Sequence, residues 1–295
     1  MNKKTIKLDG RSYRVTIQQN VISDASVPRL IIPAYLPNDT ASDILKVCIG
    51  SIQQLTDAPY ELWVVDNFSP NDNGAWLLNE PNINVILNHT LPIPPKMRRW
   101  WHRFQKPKQD LKSWGSYNNA IGLELASAMI PNSTQWVMTL HMDTMVTSKN
   151  WLSDLLSETN EKVRAIGVRV DTARTQDGIL HILGCLFDYQ LFCSLSLDFY
   201  PDLPQYDVGD RISVRFKETG YDIKAYRNSL WQPDLIDLLP PASPYRDLMV
   251  DRTFDDNDNV FFLHLGRGVL KSDGSFHKGT TPKGWIDFAQ EYILN

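Results

Sequence analysis

The stretch Trp136-Val-Met-Thr-Leu-His141-Met-Asp143-Thr-Met-Val-Thr-Ser-Lys-Asn-Trp151-Leu-Ser-Asp-Leu-Leu156 decides the reading of this chain. Trp136 to Leu140 are apolar or β-favouring residues in an unbroken run, the pattern of a buried strand. The run stops at His141 and Asp143, two side chains able to ligate a metal, separated by one residue. Thr147-Ser148 and the apolar-periodic residues from Trp151 then read as the start of a helix. Polar ligands just past the carboxyl end of a buried strand occupy the place where an open α/β sheet binds its ligand. The plainer alternative is a strand end whose Asp caps a turn and whose His is half-buried and satisfied. The flanking sequence bears on that choice.

Upstream, residues 4–17 alternate around Asp9-Gly10, which predicts a hairpin, because the tight turn needs positive φ. It reads as an extension over residues 1–27 at the edge of the main domain. Leu30-Ile-Ile-Pro33 predicts a short buried strand running into Ala34-Tyr35. Leu45, Cys48, Ile49, Ile52 and Leu55 then share one helical face. Glu61-Leu-Trp-Val-Val65 predicts the next strand, ending at Asp66-Asn67. Strand, helix, strand in that order implies a parallel pair joined by a crossover helix, with both strands ending at the same sheet edge. Residues 82–87 predict a third strand. Trp114-Gly115-Ser-Tyr-Asn-Asn119-Ala-Ile-Gly122 opens a helix carrying Leu123, Ala126, Met129 and Ile130.

Downstream, residues 163–170 and 179–188 read as strands, and residues 199–209, with Pro201 and Pro204, as a loop. Residues 210–219 read as a helix stopped by Gly220 and followed by a strand. A polar connection over 240–259, holding five aspartates, leads to Val260-Phe-Phe-Leu-His264-Leu-Gly266. No composition break divides the chain, so residues 28–270 read as one α/β domain with a tail or helix over 271–295.

Composition bounds the function. At 42% hydrophobic and 22% charged residues the chain is an ordinary globular one. A formal net charge of −4 argues against a general nucleic-acid binder. Three cysteines without metal-type spacing point to a reducing compartment. With no apolar run approaching the roughly 18 residues of a membrane span, the expectation is a cytoplasmic protein.

The motifs, taken in order, resemble the inverting glycosyltransferases of the family 2 type, which have the GT-A fold. Ile31-Ile-Pro-Ala-Tyr35 matches the first strand end of that family, and Val64-Val-Asp66-Asn67-Phe-Ser69 the second. Gly115 to Gly122 matches a helix opening. His141-Met-Asp143 stands where an Asp-x-Asp motif is expected. Asp210-Arg-Ile-Ser-Val-Arg215 with Gly220-Tyr221, and the late His264-Leu-Gly266, complete the set. The resemblance implies a Rossmann-like, mixed but mainly parallel sheet with helices on both faces. It implies a nucleotide-diphosphate sugar as donor and a glycan or lipid-linked hydroxyl as acceptor. Pro33, Ala34, Tyr35, Asp66, Asn67, Gly115, Asn119, His141 and Asp143 would face the donor. Asp143 and His264, with His141 as a third ligand, would hold a divalent cation, Mn²⁺ or Mg²⁺. Asp210 would deprotonate the acceptor, although Asp207 three residues earlier competes for that role. Arg215 reads as the solvent side of its helix rather than a phosphate contact.

His141 in place of the usual carboxylate is a departure, and imidazole shifts metal preference away from Mg²⁺. Two other classes stay open. His141, Asp143 and His264 are also two histidines and one carboxylate, as in non-haem Fe(II) oxygenases, with Arg267 shortly after the last histidine. Those enzymes use a barrel of antiparallel strands, against the strand–helix order here. A non-catalytic nucleotide-sugar or glycan-binding domain is the other. Nucleotidyltransferases share the architecture, but the Gly-rich, Lys-ended loop they carry after the first strand is absent. Finally, residues 96–112 hold seven Lys or Arg against one acid, interleaved with Trp100, Trp101 and Phe104. That composition suits a solvated loop, a lid over an anionic donor, or a peripheral contact with the inner face of a membrane.

Overall fold

The computed structural model describes residues 1–95, 111–170 and 179–294. The basic, aromatic stretch at 96–112, read as a solvated loop, a lid or a membrane contact, falls outside them over residues 96–110. Twelve strands among the described residues form two sheets. Asn2–Leu8 (β1) and Arg11–Gln18 (β2) form the predicted hairpin, with Asp9 and Gly10 both at positive φ (47° and 69°) in the turn. Arg29–Ala34 (β3), Glu61–Asn67 (β4), Asn84–Asn88 (β5) and Trp136–Leu140 (β6) are the core strands. Thr144–Val146 (β7), Val163–Val170 (β8), Ile179–Asp188 (β9) and Asp222–Tyr226 (β10) follow. Asp251–Phe254 (β11) and Val260–His264 (β12) complete the set.

The large sheet runs β1-β2-β5-β4-β3-β6-β9-β8-β10. Its centre, β5-β4-β3-β6, is parallel, and β9 is antiparallel to both β6 and β8. The fold is thus mixed α/β, with a mainly parallel core, as expected. The hairpin is built into this sheet, since β2 pairs antiparallel with β5. Every residue of β3, β4, β5 and β6 is buried. Apolar side chains on both faces therefore need helices on both sides. Asp39–Leu55 (α1) covers one face with Leu45, Cys48, Ile49 and Ile52. Its first turn is capped by Asn38, whose side chain accepts from the Ala41 N–H, a contact worth about 1 kcal/mol. Leu111–Ser127 (α2) covers the other face with Ala120, Ile121, Leu123 and Ala126.

Two local features open the site. Strand β3 pairs with β6 only over residues 29–31. Pro33, just beyond, has no N–H to offer a ladder. On the other side α2 comes down close upon β3: a Cβ on Gly122 would sit 2.7 Å from the Pro33 Cβ. Glycine at this position lets the helix lie against the strand end.

The second sheet, β11-β12-β7, is wholly antiparallel. β7 lies just before the residues read from sequence as the start of a helix, and β11 lies inside the segment read as a polar connection. Trp151–Ser157 (α3) follows β7. Tyr189–Ser194 (α4) and Asp210–Glu218 (α5) come next in the chain. Gly268–Ser272 (α6) and Pro282–Tyr292 (α7) come last, and α7 packs Trp285, Phe288 and Ala289 into a third apolar cluster with Ile44, Val47 and Leu263. Among the described residues no helix is long and apolar enough to cross a membrane.

Candidate metal and donor site

The carboxyl ends of β3, β4 and β6 meet at one sheet edge. Ala34 lies opposite Asp66 in the β3–β4 register, and Leu36 N donates to Ser69 Oγ at 2.7 Å, tying the two following loops together. Tyr35 is among the exposed large apolar side chains, at 40%. Asp66 is buried, and both the N–H and the hydroxyl of Ser69 donate to its Oδ1. Burial pushes its pKa up to about 6, against the opposing pull of the Ser69 bonds. Asn67 is buried too: its amide donates to the Asn118 carbonyl at 2.6 Å and accepts from Asn88 at 2.7 Å. Asn67 thereby fixes the first turns of α2 over the strand ends. Gly115 is exposed and Asn119 half-buried on that helix.

Past β6 the chain turns tightly, Thr144 N donating to His141 O at 3.1 Å, and pairs through β7 with β12. This pairing sets His264 opposite Thr144, beside Asp143. One potential ligand atom from each of His141, Asp143 and His264 lies within 4.8 Å of the others. His264 Nε2 is 3.3 Å from Asp143 Oδ1, and its Nδ1 is 3.0 Å from Asp251 Oδ2. The other Asp143 oxygen, Oδ2, accepts from Gly268 N at 2.8 Å. Gly268 has no room for a side chain there, because a Cβ would stand 2.9 Å from that oxygen. From below, α1 supports the turn through the Cys48 thiol, which donates to His141 O at 3.5 Å.

Electrostatics follow from burial and pairing. Burial alone would raise the Asp143 pKa and lower that of His264. Their mutual attraction overrides it, holding Asp143 well below the carboxylate range and raising His264 to about 10. Burial, with the cationic His264 nearby, lowers His141 to about 4, so it is a neutral imidazole at pH 7. Its Nε2 is buried and, among the described residues, without a hydrogen-bond partner. A neutral imidazole with an orphaned nitrogen, a carboxylate with one oxygen already oriented, and a histidine whose far nitrogen rests on a carboxylate together fit a divalent cation.

Asp210, in the first turn of α5, is buried and accepts from Asp207 N at 2.7 Å. The Asp207 charge works against burial at His141, favouring its charged form. Arg215 pairs with Glu218 on the exposed face of α5. Sequence reasoning missed Asp251, Gly268 and His181, whose ring stands edge-on to His141 at 5.2 Å. Asp251 was hidden among the aspartates of a segment that looked solvated. A separate cavity of about 640 Å³ lies between α3, Tyr245 and the β11–β12 turn. It adjoins Thr147 and Val260, the ends of β7 and β12 away from His264.

No protein-family profile matches the chain, and no curated protein matches it. Solved structures do. A mannosyltransferase from Pyrobaculum calidifontis, PcManGT, in complex with GDP-Man and Mn²⁺, is 16% identical with a TM-score of 0.46. That match covers 67% of this chain and 54% of the other. TarS of S. aureus is 12% identical with a TM-score of 0.42, covering 67% and 57%. The 4-diphosphocytidyl-2C-methyl-D-erythritol synthase of Anaerococcus prevotii is 11% identical with a TM-score of 0.40, covering 68% and 86%. These structural neighbours are GT-A glycosyltransferases and a nucleotidyltransferase, at low identity. The chain spans about half the length of the two transferase structures.

Proposed function

We propose that the protein is an inverting glycosyltransferase that moves a sugar from a nucleotide-diphosphate donor to a hydroxyl of a glycan or lipid-linked acceptor. The observation that carries the reading is the His141–Asp143–His264 cluster at the carboxyl edge of the sheet's parallel core, beside the loops that follow β3 and β4. His141, Asp143 and His264 would hold a divalent cation, which would supply charge neutralisation to a departing diphosphate. His264 would give up its Nε2 proton to ligate, while Asp251 on Nδ1 keeps the ring aimed.

The remaining roles fall to the chain's own groups. Pro33, Ala34 and the exposed Tyr35 ring wall the base and ribose, with Asp66 and Asn67 shaping that wall through Ser69 and Asn118. Gly115 and Asn119 on α2 border the same crevice. Asp210 takes the proton from the acceptor hydroxyl. The new C–O bond forms at the anomeric carbon as the bond to the diphosphate oxygen breaks, its electron pair leaving on the diphosphate.

A second reading, an iron-dependent oxygenase, uses the same two histidines and carboxylate. The open mixed sheet with its parallel core is unlike the antiparallel barrel that chemistry uses. The two separate in thermal melting. Nucleotide sugars with Mn²⁺ raise the Tm of a transferase, whereas iron with 2-oxoglutarate does so for an oxygenase. A shift with the second pair only overturns the proposal.

A further inference from the structure

Lys271 belongs to no motif and has no part in the roles above, yet the fold buries its ammonium group behind the cluster. It lies in α6 and is only 8% exposed. Its Nζ donates to Leu265 O at 2.7 Å, while Leu265 N donates to Asp143 O at 3.0 Å. A single residue, Leu265, thus links the ammonium to the backbone of Asp143, and it follows His264 directly. The Phe276 ring centre stands 6.0 Å from Nζ, at the limit of cation–π reach. Gly279 closes the enclosure, since a Cβ there would be 3.3 Å from Nζ and 2.7 Å from Met249 O. Two hydrogen bonds fix this cover, Thr280 N donating to Met249 O and Met249 N to Thr280 Oγ1. An ammonium enclosed in this way acts on a ligand through its field rather than by contact.

Burying an ammonium is costly, and an apolar side chain of the same length would fill the space at lower cost. The oxygen it bonds belongs to a neutral carbonyl, so that bond leaves its charge uncancelled. Burial pulls its pKa below the ordinary lysine value, and the Asp143 and Asp251 carboxylates oppose that pull. The charge is therefore felt at the cluster. A fixed positive charge behind a cation site has opposite effects on the two species bound there. It repels the divalent ion and attracts the diphosphate. Because it is buried, salt screens it much less than a surface lysine.

Resting on the reading of the cluster as a donor site, we propose that Lys271 is a buried counter-charge for the diphosphate, loosening the site's hold on the free cation and tightening its hold on the anion. The test is calorimetric. Mn²⁺ alone, and then UDP, GDP, CDP and ADP each at saturating Mn²⁺, are titrated into wild-type protein, Lys271→Met, Lys271→Gln and Lys271→Arg. Lys271→Met should bind Mn²⁺ about threefold or more tightly, and the preferred nucleoside diphosphate about tenfold or more weakly. Lys271→Gln, a neutral donor, should follow Lys271→Met. Lys271→Arg keeps the charge and should stay within about threefold of wild type on both. If the larger Arg does not fold beside Gly279, the opposite signs in the two neutral variants still decide.

Weakening of both Mn²⁺ and diphosphate in the neutral variants would make Lys271 a structural support of Asp143 and overturn the proposal. Recovery of diphosphate affinity by Lys271→Gln would assign the effect to the hydrogen bond rather than the charge, and overturn it equally. Wild-type protein that binds Mn²⁺ but no nucleoside diphosphate would overturn the donor reading itself, and this assignment with it. Tight diphosphate binding by wild type and by every Lys271 variant overturns this assignment alone.

Discussion

Adding one methyl group at Gly268 should disable the cation site without touching a ligand. Gly268 opens α6, and its N–H holds Asp143 Oδ2 at 2.8 Å. A Cβ built there would lie 2.8 Å from the Asp143 Cβ, 2.9 Å from Oδ2 and 3.2 Å from Cγ. Non-bonded heavy atoms settle at about 3.5–4.0 Å, so the carboxylate has to retreat by roughly 0.6 Å or more. It cannot do so freely, because Oδ1 faces His264 Nε2 at 3.3 Å. A working ligand set tolerates only about 0.5 Å of displacement. Backbone strain adds nothing, since Gly268 is not among the glycines at positive φ. Gly268→Ala should therefore lower Mn²⁺ affinity about 10- to 100-fold, with an overpacking cost of about 1–3 kcal/mol. Calorimetric titration of Mn²⁺ reads the first effect and thermal melting the second. Gly284→Ala, where the new Cβ meets ordinary contacts at 3.4 Å and beyond, serves as the control and should leave Mn²⁺ affinity unchanged. Wild-type Mn²⁺ affinity in Gly268→Ala would refute the placement of Asp143 as a ligand.

Asp210→Asn should abolish sugar transfer while keeping nucleoside diphosphate affinity within a few-fold, because the base acts on the acceptor; a parallel collapse of both would make Asp210 a donor-binding or structural group. Two imidazoles beside one carboxylate should favour Mn²⁺ or Co²⁺ over Mg²⁺, and equal turnover in all three, or full turnover in EDTA, would take both histidines out of the inner shell. Glu124 on α2 accepts from Phe199 N at 2.7 Å, and burial raises its pKa from 4.5 to about 7. Between those values the folded state holds a proton that the unfolded state releases, so stability should fall by about 3 kcal/mol as pH rises from 4.5 to 7. Urea denaturation should show that slope reduced in Glu124→Gln, with the part due to Asp66 remaining, and an unaltered slope would contradict the assignment.

The parallel core was legible because its strands are short unbroken apolar runs ending at Pro33, Asp66 and His141, and burial on both faces leaves that signature. The hairpin was legible from Asp9-Gly10. Within the site, His141, Asp143 and His264 stood out as metal-ligating residue types at strand ends. The second sheet was not legible. Thr144–Val146 is three residues long, and Asp251–Phe254 sits among aspartates, so neither carries a local pattern. What makes them strands is pairing with β12, across more than a hundred residues in the case of β7. Asp251, Gly268 and His181 were invisible for the same reason. One is placed by that pairing, one by the αL residue Arg267 that precedes α6, and one by a bulge in β9.

The most direct test of the whole account is release of nucleoside diphosphate from a panel of nucleotide sugars with Mn²⁺, measured for wild-type protein and Asp143→Asn. Asn keeps the size of the side chain and an oxygen to accept from Gly268 N, so the fold should survive, which circular dichroism checks. The account predicts turnover of at least one nucleotide sugar by wild type, falling by about 10² or more in the variant. A folded Asp143→Asn that turns over the same donor at the wild-type rate would contradict it.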